Sequence, residues 1–145
     1  MTAGILKAWE MLSAHQYAPV DLIIPVPLSN ISLAKRGFNQ AWELSKQMSA
    51  MKKTPTTPFL LRKHHCKIEV PQTKTLRTQF LKRSFYLDKN ELIKINGLRG
   101  KRIGVVDDFM NSGATLNAIA ELLKENGATW VSNWVILRTP SPELY

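Results

Sequence analysis

The stretch KRIGVVDDFMNSGATLNAIAELLKENG, residues 101–127, constrains the fold more than any other part of the chain. Its apolar run "IGVV" is short and β-branched enough for a buried strand, and it ends in two consecutive acids, Asp107 and Asp108. Carboxylates are costly to bury, so their position at a strand's end needs a reason beyond folding. A small polar turn follows, and then a helix from about Ala114 to Glu125 with Leu116, Ile119, Ala120 and Leu123 as its buried stripe. Asn126 and Gly127 supply the stop signal.

The remaining segments repeat this alternation. Residues from about Ala3 to Gln16, within an N-terminal helical segment 1–18, carry Ile5, Ala8, Trp9 and Leu12 at helical spacing, and Pro19 closes them. "DLIIPVP" reads as a buried strand whose end Pro25 and Pro27 turn into a rigid bend. A second amphipathic helix runs from about Phe38 to Met51. "FLLRK" and "SFYL" are short strands, "NGLRGK" is a turn, and "WVSNWVILR" is a closing apolar strand. Between the two short strands no steady period is readable, and residues 64–83 are expected to form a flexible loop. Strands alternating with helices predict an α/β fold, a mostly parallel sheet flanked by helices, in a single domain over 1–145.

In such sheets the ligand crevice lies beyond the carboxyl ends of the strands. The acids therefore reach that edge together with "NSGAT", where the amide groups of a starting helix attract anions. Gly113 permits a tight turn, and Asn111, Ser112 and Thr115 can donate hydrogen bonds to phosphate oxygens. No G-x-x-x-x-G-K-[ST] occurs, which disfavours kinase or nucleotide hydrolase chemistry. A phosphate seat beside two carboxylates fits a phosphorylated sugar, its hydroxyls held directly or through Mg²⁺. The competing reading is that the acids only cap the turn.

Charge is suited to an anionic partner without choosing one, and the competing reading is a solvated basic surface with no specific partner. Of twenty Lys and Arg residues, twelve fall between Arg62 and Arg102, where only Glu69, Asp88 and Glu91 oppose them, and the chain's formal charge is +9. A polyphosphate, a nucleic acid backbone or an acidic protein would each be attracted. No linear alternation of aromatic and basic residues typical of a stacking platform stands out. The single Cys66 excludes an internal disulfide, and "HHC" at 64–66 lacks the paired spacing of a structural zinc site. No apolar stretch approaches a membrane span and no secretory signal is readable, so a cytoplasmic location is expected.

Several motifs resemble the type I phosphoribosyltransferases, and within them the ComF/GntX group of competence-associated proteins. They are "IPVPL" at 24–28, "KRGFNQAWELSKQ" at 35–47, "PQT" at 71–73, "SF" at 84–85 and "LRGKRIGVVDDFMNSGATL" at 98–116. The resemblance implies phosphoribosyl pyrophosphate as donor and Mg²⁺ as cofactor. Asp107 and Asp108 would face the ribose hydroxyls and the metal, while Asn111, Ser112, Gly113, Ala114 and Thr115 would wrap the 5′-phosphate. Pro27, Leu28, Ser29 and Asn30 would meet the pyrophosphate. Lys35 and Arg36, and more weakly Lys74 and Arg77, would stabilise it as it departs.

It also implies that residues 64–83 correspond to the loop that closes over the site in this superfamily. Asn111 and Ser112 stand where the group usually has two threonines, and "KTLRTQFLKRSF" is a shorter match than the group's arginine- and asparagine-rich segment. Little chain remains for the acceptor-binding hood, so the hood is expected to be reduced or absent. The implied activity is phosphoribosyl transfer to an unidentified acceptor, associated with competence and DNA uptake. The alternative is a non-catalytic competence module acting through protein or single-stranded DNA partners.

Overall fold

The computed structural model describes residues 19–28, 33–35, 37–64, 73–110 and 113–138. The helix expected within residues 1–18 lies outside them. Three strands, β1 (Leu22–Pro25), β4 (Arg102–Met110) and β5 (Trp130–Arg138), form a parallel sheet in the order β1-β4-β5. A separate antiparallel pair joins β2 (Leu61–Lys63) to β3 (Phe85–Leu87). The helices are α1 (Gln40–Lys52), α2 (Lys74–Ser84), α3 (Lys89–Lys94) and α4 (Ala114–Glu125).

Strand alternation explains why the sheet is covered twice. Leu22, Ile24, Ile103 and Val105 point to one face, where α4 delivers Leu116, Ile119 and Leu123. Ile23, Val106 and Trp134 point to the other and meet Leu44 and Met48 of α1. Burying each such aliphatic side chain contributes about 1.5–3 kcal/mol, so both faces of a strand only four residues long can be anchored. Gly104 sits opposite Trp134, and a Cβ there would lie 2.7 Å from the ring's Cη2.

β1 runs along the outer side of β4 and ends at Pro25. Ile23 turns its amide outward to Pro55 at 2.9 Å, so Pro25, two residues on, has its missing N–H on the sheet's edge, where none is required. Val26 still donates to the Val106 carbonyl at 2.8 Å, and the pairing of β1 with β4 ends there. Asn39 then opens α1. Its Oδ1 accepts from the Ala41 amide at 3.1 Å, and its Nδ2 donates to the Val26 carbonyl at 3.1 Å, which ties the helix start to the strand end.

Two segments depart from expectation. Residues 74–83, expected as part of a flexible loop, form most of α2, capped by Thr73, whose hydroxyl accepts from the Leu76 amide. Only its last turn is covered: Phe80 and Leu81 are half-buried and Ser84 is buried, while Lys74 to Gln79 are exposed. A helix with so little buried face shows no apolar period. Lys82 instead fastens it to α4 by ion pairs to Glu125 at 3.0 Å and Glu121 at 3.6 Å. The other part of that expectation, 65–72, lies outside the described residues. The second departure is α3, where Asp88 accepts from the Asn90 and Glu91 amides. No helix among the described residues is long and apolar enough to cross a membrane.

Candidate functional site

The carboxyl edge of the sheet is stepped. β1 ends opposite Val106, whereas β4 and β5 continue together until Met110 stands opposite Arg138. Asp107 and Asp108 lie on this overhang, both half-buried, with Asp107 opposite Val135. Because β4 keeps its pleat through them, they leave the strand on opposite faces: Asp107 on the α4 side shared with Ile103 and Val105, Asp108 on the α1 side shared with Val106. The acids flank the strand end rather than facing one way.

Gly113 forms the N-cap of α4 in the left-handed region, φ 80° and ψ −3°, which only glycine adopts at no cost. As glycine it brings no capping side chain, and the first turn of α4 holds no acid to compete for an anion. Ala114 and Thr115 are half-buried there. The helix packs on the same sheet face as Asp107, so one carboxylate and the positive end of the helix share a side. Asn111 and Ser112 lie outside the described residues, as do Ser29, Asn30 and Arg36.

Pro27 is buried and Leu28 half-buried just beyond β1, on the same edge as the acids. Lys35 is exposed in the chain leading to α1, and Lys74 and Arg77 are exposed on the first turn of α2. Among the described residues, no group of three His, Cys, Asp or Glu side chains comes together around a common point. Two carboxylates suit Mg²⁺, which commonly takes one or two from protein and the rest of its shell from phosphate oxygens and water.

A second feature had no linear signal. Between the start of α1 and the β2–β3 pair lies an open cleft of about 360 Å³. Its floor is Pro27, Leu28 and Leu61, and its walls carry Phe38, Trp42, Phe59 and Tyr86. Arg62 and Lys63 of β2 also line it. Phe38 and Trp42 fall inside the motif "RGFNQAW", but Phe59 and Tyr86 join them only through folding.

The phosphoribosyl transferase domain model matches residues 31–144. Competence protein F of Haemophilus influenzae is 32% identical over 86% of this chain and 53% of its own length. The DNA utilization protein YhgH of an Escherichia coli strain is 35% identical over 82% of this chain and 50% of its own. Competence protein ComFC of Bacillus subtilis is 32% identical over 81% and 45%. The chain thus spans about half the length of the curated relatives it matches.

Among solved structures, an adenine phosphoribosyltransferase from Saccharomyces cerevisiae superposes with a TM-score of 0.60, at 14% identity, over 95% of this chain and 68% of that one. A purine phosphoribosyltransferase from Pyrococcus horikoshii gives 0.55, at 17% identity, over 94% and 81%. At these identities the likeness is one of fold. The parallel sheet, the acids at its edge and the matched domain agree on one lineage: this chain belongs to the type I phosphoribosyltransferase family, as a ComF-like member.

Proposed function

We propose that the stepped edge binds phosphoribosyl pyrophosphate with Mg²⁺ and supports transfer of the phosphoribosyl group in a competence-associated setting in the cytoplasm. One observation carries this reading: two half-exposed carboxylates on β4 share a sheet edge with the N-terminus of α4, opened by a left-handed glycine. Asp107 and Asp108 accept hydrogen bonds from the ribose hydroxyls, and the turn 111–115 takes the 5′-phosphate at the helix terminus. The turn 27–30 receives the pyrophosphate, with Lys35 and Arg36 beside it.

Transfer breaks the bond between ribose C1 and the pyrophosphate oxygen, which keeps the electron pair, and an acceptor nucleophile forms the new bond at C1. Positive charge grows on the sugar meanwhile, so fixed carboxylates and excluded water favour the transition state more than the ground state. Bound Mg²⁺ would supply charge neutralisation for the leaving pyrophosphate. No covalent protein intermediate is needed, and the chain's part is to hold donor and acceptor in line.

Titration calorimetry with the sugar pyrophosphate and Mg²⁺ tests the donor site. Saturable heat is expected from the wild type and none from Asp107→Asn with Asp108→Asn, whose melting temperature should be close to wild type. Absence of heat from the wild type at high micromolar protein sinks the reading. The names of the curated relatives support a second reading, a non-catalytic competence module that acts through protein or single-stranded DNA partners. It predicts single-stranded DNA binding that weakens as salt rises, and a salt-insensitive or undetectable signal argues against direct backbone contact while sparing a purely protein-mediated role.

A further inference from the structure

The aromatic cleft between α1 and the β2–β3 pair adjoins the proposed donor site at Pro27 and Leu28, but its rings take no part there. Phe38 and Phe59 are 50% and 51% exposed and Tyr86 40% exposed, so the core does not account for these rings. They converge from three separate segments, and a soluble surface gains nothing by gathering exposed aromatic faces without a partner. Tyr86 shows that a ring here accepts a planar partner, since His64 stacks on it with centroids 4.3 Å apart and planes 25° from parallel.

Cations are interleaved with the rings. The Arg62 guanidinium lies 5.0 Å from the Phe59 ring centre, and Lys46 Nζ lies 5.5 Å from that of Trp42. Glu43, an acid in the lining, is matched by Lys46 at 3.1 Å. Arg62 meets Asp88 at a long 3.8 Å and its side chain is 36% exposed, so its charge is partly open to a ligand. The floor of Pro27, Leu28 and Leu61 is apolar and offers no row of side-chain donors to read a base edge. Its volume falls within the roughly 300–1,000 Å³ typical of small-ligand sites.

We propose that this cleft seats unpaired nucleobases joined to phosphate, stacked on Phe38, Phe59 and neighbouring rings with Arg62 and Lys63 toward the phosphates. Several rings in one cleft favour consecutive bases of a single strand over one free nucleotide. Stacking of this kind tolerates any base, and the +9 charge draws the backbone in. A duplex is excluded, because its base faces are already occupied.

The test is fluorescence anisotropy with a labelled oligothymidylate of roughly 16 nucleotides, the upper span of one compact single-strand-binding fold. Competitors are an abasic strand of equal length, thymidine monophosphate and polyglutamate. Phe38→Ala with Phe59→Ala should weaken binding at least tenfold with an unchanged salt slope, as each stacked base is worth roughly fivefold or more. Phe38→Tyr with Phe59→Tyr, which keeps the rings, should bind like wild type, and circular dichroism should show all variants folded.

The wild type should prefer the thymidylate strand to its abasic counterpart. Thymidine monophosphate competing as well as the strand, and less well against the alanine variant, would support the seat and assign it to a free nucleotide. Equal binding by wild type and alanine variant, equal affinity for thymidylate and abasic strands, or equally effective competition by polyglutamate would each overturn the proposal. Asp107→Asn with Asp108→Asn should leave the oligonucleotide signal intact, which separates this seat from the donor site.

Discussion

Replacing Gly104 by alanine tests how closely the strand carrying the acids is packed. The new Cβ would sit 2.7, 2.8 and 3.0 Å from Cη2, Cζ3 and Cζ2 of Trp134, well inside the 3.5–4.0 Å at which carbon atoms rest. Trp134 is 3% exposed and packed against Val106, Leu44 and Met48, so the ring cannot withdraw without moving α1 or the sheet. Overpacking of this kind costs about 1–3 kcal/mol. Alanine also restricts the unfolded chain, which offsets about 0.4–1 kcal/mol.

The packing term wins. A net loss of about 1–2 kcal/mol lowers the melting temperature by roughly 2–8 °C in a chain of this size. Circular dichroism melts measure the loss, and the near-ultraviolet tryptophan signal should change with it. Trp134→Phe removes the atoms that the new methyl strikes, so the pair Gly104→Ala with Trp134→Phe should lose less than the two single changes summed, by about 1 kcal/mol. An unchanged melting temperature in Gly104→Ala, or strict additivity in the pair, would refute the contact.

Two further outcomes concern charge. Asp21 accepts from the Arg102 backbone amide at 2.8 Å and from its guanidinium at 3.4 Å; chiefly the amide bond, then the side-chain bond, holds its carboxyl below the ordinary 3.8. Its contribution is therefore complete above about pH 4 and lost as pH falls through the lowered value, so Asp21→Asn should destabilise at neutral pH and flatten the acid limb of urea midpoint against pH. Identical acid limbs would contradict this. Lys82 is held above its ordinary 10.5, first by its hydrogen bond to Glu125, so its ion pairs persist through neutral pH and fade only as pH rises past the raised value. Lys82→Met should speed hydrogen exchange in α2 while the middle of α4 stays protected, and unaltered exchange in α2 would rule out the fastening role.

The sequence and the fold agree where local chemistry and burial coincide. "RIGVV" is apolar on both sides because helices cover both faces, and Gly113 stands where the backbone requires a positive φ. Agreement fails where one of them is missing. α2 buries little beyond its final turn, so Leu76, 52% exposed, interrupts any readable stripe. α3 is too short for a period, yet Asp88 followed three residues later by Glu91 is a helix-start signature that marks it. The strand β4 was legible to Val106, but its extension past the acids depends on pairing with the distant β5. The aromatic cleft was hidden for a related reason: Phe38, Trp42, Phe59 and Tyr86 are separated by up to a third of the chain and meet only once β2 and β3 have paired.

The overhang of β4 makes its tip a cantilever. Past Val106, no described strand pairs with it on the β1 flank, and β5 braces the other. Whatever tugs on or stiffens the carboxyl half of β5 therefore shifts both aspartates without touching them. In this chain, leverage over the acidic pair resides in the neighbouring strand.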